Sequence, residues 1–211
     1  QWLYPTEVVF EGSGASRSAI RASDGSPVQI GRVEKMSKSK HNTVDPQTFI
    51  ERYGADTIRL FCLFAAPPHK DLDWSEKGVE GCYRFLCRVW KLVQQRSELI
   101  RSAQEPHAIE LDAGSAELRQ RVHQTIDRVS RDVEERMQFN TAIAATMELL
   151  NSLVSFHARD GVPREFSAAE AAAFAEGVQV LLMLLSPFAP HISDELWHLI
   201  GGDGILENQP W

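Results

Sequence analysis

The chain from Ser75 onward carries apolar residues at helical spacing. Residues three and four apart lie on the same side of an α-helix, and such residues form four stripes along this part of the chain. The stripes are Phe85, Val89 and Val93; Val122, Ile126, Val129 and Val133; Ile143, Met147, Leu150 and Val154; and Phe174, Val178, Leu181 and Leu185. The pattern predicts four long helices that bury these stripes against one another in an antiparallel bundle.

Polar and turn-forming residues indicate where the helices begin and end. Ser167 with Glu170 predicts a capping box, and Asn140 is a candidate N-cap. A shorter helix that ends near Ile200 is bracketed by Pro187, Pro190, Gly201 and Gly202. Its first residues His191 and Ile192 are interpreted as core, as are Trp90 and Trp197.

Two short helices are predicted upstream of the bundle. Asp45 is placed to cap a helix whose first residue is Pro46, and Gly54 permits the left-handed backbone at which helices often end. A second helix follows over about 55–64. Prolines at 67 and 68 make residues 65–74 an extended strap that leads into the bundle.

Residues 1–33 have a different character. They contain two short β-prone pieces, Glu7–Phe10 and Pro27–Val33, separated by the Gly-, Ser- and Asp-rich stretch Gly12–Ser26. This arrangement predicts a β-hairpin or small insertion. The expected fold class is therefore mainly α, with a small β region before the helices.

The net charge of −7 excludes a chain that binds nucleic acid over its whole surface, because phosphate contacts need Lys and Arg. The charges are unevenly distributed. Between Arg84 and Arg101 there are five basic residues and one acidic residue, whereas seven basic and seventeen acidic residues follow Arg101. Arg84, Arg88 and Lys91 repeat at helical spacing opposite the first apolar stripe. This face either contacts RNA phosphates or is a solvated helix surface.

Three cysteines, Cys62, Cys82 and Cys87, lack the partner residues and spacing of a metal site, so structural thiols are predicted and no bound metal is expected. Gln1–Phe10 shows no secretory signal pattern, and no run of about 18 apolar residues occurs. A cytoplasmic location without membrane contact is expected.

A loop rich in lysine and hydroxyl groups follows the β-prone region. Residues 35–39 read KMSKS, and two lysines and two serines so close together suit a polyphosphate, although most short clusters of this kind are solvated turns. The loop continues as KHNTVDP over residues 40–46 and is followed by YGADTIRL over residues 53–60. Together these segments resemble the second signature of class I aminoacyl-tRNA synthetases.

The strap and the helix after it narrow the resemblance. FAAPP at residues 64–68, DLDW at 71–74, GVEG at 78–81, RFL at 84–86 and RVW at 88–90 look like leucyl-tRNA synthetases. The segment SPFAPHI at residues 186–192 is similar to the last helix of that family's tRNA-binding bundle. The isoleucine and valine enzymes, which share the loop, are the alternatives, together with a free-standing helical RNA-binding or scaffold module.

The resemblance implies a ligase that activates leucine with ATP and transfers it to tRNA(Leu), with Mg²⁺ accompanying the ATP and no DNA partner. It implies that residues 35–39 bind ATP and that, within them, Lys38, assisted by Lys35, stabilises the ATP phosphates, Met36 anchors the loop, and Ser37 and Ser39 shape it. It also implies three regions: 1–33, a β-rich insertion or the end of a catalytic domain; 34–74, the KMSKS loop and a helical stem-contact region; and 75–211, a bundle of the anticodon-binding type. This chain alone is expected to be inactive.

Overall fold

The computed structural model describes residues 3–4, 7–12, 18–31, 35–37, 42–159 and 162–209. The chain divides into two compact units, Gln1–Thr48 and Phe49–Trp211. Within the described residues, the strands are β1 Val8–Glu11, β2 Ser18–Arg21, β3 Pro27–Val28, β4 Ala158–Arg159 and β5 Val162–Pro163. The α-helices are α1 Pro46–Tyr53, α2 Ala55–Ala65, α3 Glu76–Ser102, α4 Ala113–Glu134, α5 Phe139–His157, α6 Ala168–Leu185 and α7 Pro190–Leu199. Short 3₁₀ turns lie at Pro106–Ala108 and Leu206–Asn208.

The first unit contains a three-stranded antiparallel sheet in the order β1-β2-β3. The prediction of a hairpin from two β-prone pieces was incomplete, because β2 lies within the stretch that was assigned to a connection. Strand β2 is hydrogen-bonded to β1 on one side and to β3 on the other, and its residue Ala19 is 4% exposed. The β2–β3 turn is closed by Asp24, whose carboxylate accepts hydrogen bonds from the amide and the hydroxyl of Ser26.

Helices α1 and α2 follow the predicted boundaries. Asp45 Oδ1 accepts a hydrogen bond from the amide of Gln47 at 2.9 Å, and α1 begins at Pro46. Gly54 has a φ of 83° and a ψ of 155°, so the predicted positive φ is present but the residue is extended rather than left-handed helical. This conformation lets α2 start at once in a new direction.

The strap between α2 and α3 is held by Trp74. Its ring makes edge contacts with Phe49 on α1 and Phe61 on α2, at centroid distances of 4.9 and 5.3 Å. Ser75 then caps α3 by accepting a hydrogen bond from the amide of Gly78. The aromatic end of the strap therefore fixes the direction in which the longest helix leaves the two short ones.

The predicted antiparallel helical bundle is confirmed. Its core is built from the four predicted stripes, and Phe174, Val178, Leu181 and Leu185 of α6 are each 0% exposed. The capping box of Ser167 and Glu170 is present at the start of α6. Helix α6 has the length and composition of a membrane span, but 56% of it is buried inside the protein, which is typical of a core helix, and such a match is weak support for membrane insertion.

The prediction of Asn140 as an N-cap was wrong. Helix α5 begins at Phe139, so Asn140 lies in its first turn, and its Oδ1 is buried without a hydrogen-bond partner. The connection is set by Asp132 of α4 instead. Its carboxylate accepts a hydrogen bond from the Thr141 hydroxyl at 2.7 Å, and its carbonyl accepts one from the Gln138 amide at 2.8 Å. A contact from the preceding helix thus replaces the local cap.

Two side chains interpreted as core are exposed. Trp90 is 38% exposed because it follows Val89 by one residue, which is about 100° around the helix from the buried stripe. The His191 side chain is 81% exposed, because the buried side of α7 runs through Ser193, Leu196 and the following Ile200. Trp197, by contrast, is partly buried against the core, as is Ile192.

His157, at the end of α5, gives the bundle a pH-dependent contact. It is 5% exposed, and its Nδ1 accepts a hydrogen bond from Arg96 Nε at 2.9 Å. Burial, followed by the charge of Arg96, lowers the pKa of His157. The unfolded chain takes up this proton near pH 6.5, whereas the folded chain resists it. This contribution to stability is therefore complete above pH 6.5 and is lost as the pH falls toward the folded pKa.

We expect His157→Leu to lower the free energy of unfolding of this chain by about 1–3 kcal/mol at pH 7.5, because Arg96 loses a buried acceptor. The variant should also lose stability less steeply than the parent between pH 7 and 5.5. Urea unfolding at several pH values measures both effects. His107→Leu is the matched control, since His107 is exposed. Equal pH dependence in His157→Leu and the parent would contradict the assignment.

Candidate functional site

The described part of the lysine-rich loop is contacted by Asn42, a side chain to which the sequence analysis gave no role. The Ser37 amide donates a hydrogen bond to Asn42 Oδ1 at 2.8 Å, and Asn42 Nδ2 donates one to the Lys35 carbonyl at 3.4 Å. A carboxamide offers a donor and an acceptor at once, so one half-buried side chain holds two points of the loop. The signal in the sequence is an Asn a few residues beyond a turn-forming cluster.

The predicted ATP-binding residues are partly within the described structure. Lys35 is exposed, Met36 is 40% exposed, and Ser37 is half-buried. Lys38 and Ser39 lie outside the described residues. The Lys35 ammonium is thus available to an anion, and the backbone beside it is fixed by Asn42. The roles of all five residues toward ATP stay predictions.

The predicted basic face lies on the solvent side of α3. Arg84, Arg88 and Lys91 are all exposed, while Val89 and Val93 on the opposite side are each 0% exposed. One guanidinium nitrogen of Arg88 donates a hydrogen bond to Asn151 Oδ1 of α5 at 2.7 Å, which orients this side chain across the gap between the two helices. The three charges form one surface that can meet a phosphate chain, and its contact with RNA stays a prediction.

The YGADTIRL segment (residues 53–60) and the SPFAPHI segment (residues 186–192) contact each other. Asp56 of α2 is buried, and its Oδ2 accepts a hydrogen bond from the Ile192 amide at 2.7 Å, while its Oδ1 accepts one from His191 Nδ1 at 2.8 Å. Arg59, one turn further along α2, donates a hydrogen bond to the Pro187 carbonyl at 3.0 Å. Helix α2 is therefore hydrogen-bonded both to the turn between α6 and α7 and to the first residues of α7. More than 120 residues separate the partners, so no local pattern could have shown these contacts.

Two of the three cysteines, Cys62 and Cys82, have the environment of unreactive thiols. Burial raises the pKa of Cys82 to about 11, with the neighbouring Cys62 adding to the shift, and burial also raises the pKa of Cys62. Both are therefore protonated at neutral pH. Among the residues that the structure describes, no three His, Cys, Asp or Glu side chains are grouped as metal ligands.

Family models match two parts of the chain. Residues 26–75 match the model described as tRNA synthetases class I (I, L, M and V), and residues 115–211 match the anticodon-binding domain of tRNA ligase. The first match contains the lysine-rich loop, α1, α2 and the strap. The second contains α5 to α7 and all but the first two residues of α4.

Curated relatives carry one name. The chain is 47% identical over 212 residues to a leucine–tRNA ligase of Desulfatibacillum aliphaticivorans. This alignment covers 100% of the chain and 24% of the relative. The chain is also 52% identical over 177 residues to a leucine–tRNA ligase of Geobacter sp. (strain M21). That alignment covers 84% of the chain and 21% of the relative. The chain thus spans less than a quarter of the length of these relatives.

Solved structures give the same grouping. A ternary complex of Agrobacterium radiobacter K84 LeuRS with tRNA and LeuAMS matches 84% of this chain and 22% of that protein, with a TM-score of 0.70 and 31% identity. A Mycobacterium tuberculosis methionyl-tRNA synthetase in complex with methionyl-adenylate matches 80% of this chain and 36% of that protein, with a TM-score of 0.62 and 21% identity, and shows the shared fold alone. From the two family models, the curated relatives and the LeuRS match together, the chain belongs to the leucine–tRNA ligase family of class I aminoacyl-tRNA synthetases.

Proposed function

We propose that the protein containing this chain is a leucine–tRNA ligase, which activates leucine with ATP and transfers the leucyl group to tRNA(Leu). The observation that carries the proposal is the joint presence of the KMSKS loop, the YGAD helix start and the DLDW strap in one segment that is 47% identical to a leucine–tRNA ligase over its whole length. The cytoplasm, where ATP and tRNA meet during protein synthesis, is the proposed location, without a membrane or DNA partner.

The lysine-rich loop supplies electrostatic stabilisation to the activation step. The leucine carboxylate attacks the α-phosphorus of ATP and pyrophosphate leaves, so negative charge develops on the departing phosphates. Ammonium groups placed beforehand against those oxygens stabilise the transition state more than the ground state. Lys38 is the proposed main contact and Lys35 the assisting one. Asn42 accepts a hydrogen bond from the Ser37 amide and donates one to the Lys35 carbonyl, so it positions the backbone beside the assisting lysine.

Mg²⁺ enters with the nucleotide in this proposal. It would neutralise part of the phosphate charge when it is bound. The described residues of this chain do not group three carboxylate, imidazole or thiol ligands, and the loop offers cations and hydroxyls. In this proposal the cationic side chains of the loop contact the phosphates.

The bundle provides the proposed tRNA contact. Arg84, Arg88 and Lys91 share one exposed face, whereas α4 to α7 belong to the strongly acidic part of the chain. Phosphate contacts of this kind position an RNA without reading its sequence. The hydrogen bonds of Asp56 join α2 to the start of α7 within the second unit.

The proposal predicts amino-acid-dependent ATP–pyrophosphate exchange. The full-length protein should catalyse exchange with leucine, but not comparably with isoleucine or valine, and this chain alone should catalyse none, since it spans less than a quarter of its relatives. Exchange with isoleucine or valine instead of leucine would show that the enzyme is specific for that amino acid. No exchange with any of the three would favour the RNA-binding or scaffold module.

Lys38→Ala in the full-length protein should lower leucine-dependent exchange by a few hundredfold, because removal of one prearranged transition-state contact costs about 3–4 kcal/mol. Steady-state exchange kinetics measure the loss. Lys77→Ala removes an exposed lysine on α3 and is expected to change the rate less than about twofold. A loss below about threefold in Lys38→Ala would exclude the assigned role.

Charge reversal tests the tRNA face. Replacing Arg84, Arg88 and Lys91 together by Glu should weaken tRNA binding and make its salt dependence shallower, because fewer counterions are displaced. Filter binding at several salt concentrations measures both. The control replaces Arg121, Arg128 and Arg131, three exposed arginines of α4, and changes the net charge equally. Equal losses in the two triple variants would point to overall charge rather than to this face.

A further inference from the structure

A concave aromatic surface lies between α2, α3 and α7. It encloses about 320 Å³, at the small end of the range for ligand pockets, and its walls include Tyr53, Tyr83, Leu86, Cys87, Trp90 and Ile192. We call it the aromatic groove. Its lining is mostly apolar, yet Tyr83 is 41% exposed and Trp90 is 38% exposed. Large side chains exposed together in a hollow indicate a binding surface.

The two exposed rings are on one stripe of α3. Tyr83, Cys87 and Trp90 are spaced by four and three residues, so their side chains neighbour one another on the helix. Tyr53 closes the far side, because its ring meets that of Tyr83 edge-on at a centroid distance of 5.4 Å. The groove therefore presents the ring surfaces of α3 beside a fixed aromatic wall from α1.

The polar groups at the groove are engaged or neutral. The Tyr53 hydroxyl donates a hydrogen bond to Glu80 Oε1 at 3.3 Å, and the buried Asp56 carboxylate is occupied by His191 and the Ile192 amide. A hydrogen bond with Cys87 raises the pKa of Tyr83, so its phenol is neutral at pH 7. The two carboxylates at the groove, Asp56 and Glu80, therefore already accept hydrogen bonds from within the protein.

Positive charge borders the groove on two sides. The stripe of Arg84, Arg88 and Lys91 is displaced from the Tyr83–Trp90 stripe by one residue, or about 100° around α3. The Arg52 guanidinium lies 4.9 Å from the centre of the Tyr53 ring. An aromatic hollow beside a row of cations is the combination by which proteins hold unpaired nucleotides: bases stack on the rings and phosphates meet the cations.

We propose that the aromatic groove receives one unstacked base of the tRNA, stacked on Trp90 and Tyr83, while Arg84, Arg88 and Lys91 contact the adjoining phosphates. This inference rests on the proposed function and adds the binding mode. RNA fits the surface better than a protein segment does, because the apolar hollow is bordered by several cations and every base offers an apolar face next to a phosphate.

Trp90→Ala in the full-length protein tests the inference by tRNA filter binding. Loss of one base stack should weaken tRNA binding on the order of 5- to 100-fold, with an unchanged salt dependence, because no charge is removed. Trp90→Phe keeps a ring and should stay within about threefold of the parent. Ile205→Ala, at a side chain 56% exposed elsewhere, is the control for loss of exposed apolar area and should bind normally.

Leucine-dependent ATP–pyrophosphate exchange without tRNA separates the two hypotheses. Exchange that is unchanged in Trp90→Ala, together with weak tRNA binding, supports the base site. Normal tRNA binding in Trp90→Ala overturns the inference while leaving the ligase proposal intact. An equal loss of exchange and tRNA binding also overturns it, because the groove is then covered by another part of the protein. If Trp90→Ala fails to fold, Tyr83→Ala, which removes the more exposed ring, gives the same comparison.

Discussion

Burial of α6 is the constraint on which the rest of the bundle depends. Ten of its residues are buried, from Ala172 to Leu185, and α3, α4, α5 and α7 all pack against it. Gly177 allows the closest approach: a β-carbon there would lie 2.7 Å from Leu153 Cδ2 and 3.3 Å from Val122 Cγ2. Because interiors are packed as densely as crystals, this single small residue fixes how near α4 and α5 come to the central helix.

The position of the aromatic groove depends on the packing of α6 through the turn that follows this helix. The turn between α6 and α7 is set by the buried Phe188 and Ala189, and the same turn offers the Pro187 carbonyl and the Ile192 amide to α2. Helix α2 is thereby placed against α3 and α7, and the aromatic groove lies where the three meet. A buried carboxylate with two hydrogen bonds is costly to leave unpaired, so Asp56 favours a single arrangement of these helices.

The second unit has surfaces on which arginines pair with acids and, on α3, a surface whose cations lack such partners among the described ion pairs. Ion pairs such as Arg119 with Glu176 and Arg164 with Glu170 bring the bundle's arginines together with acids of neighbouring elements. On α3 the exposed Arg84, Arg88 and Lys91 have no such acidic partner among the described ion pairs, and Arg88 bonds only to a neutral amide there. This chain, whose net charge is −7, thus keeps a local cationic face beside exposed aromatic rings, and that contrast supports the proposed tRNA contact.

The sequence by itself determined the helices, several of their caps and the residue types of the lysine-rich loop. Helical spacing assigned the buried residues of α6, and Asp45, Ser75 and Ser167 begin helices where short polar side chains satisfy free amides. These features depend on residues only a few positions apart. Tertiary structure alone decided that Asp132 rather than Asn140 sets the start of α5, that His191 is exposed, and that Asp56 joins α2 to α7. The physical reason is that exposure and long-range hydrogen bonds depend on which helices pack together, and local periodicity does not contain that information.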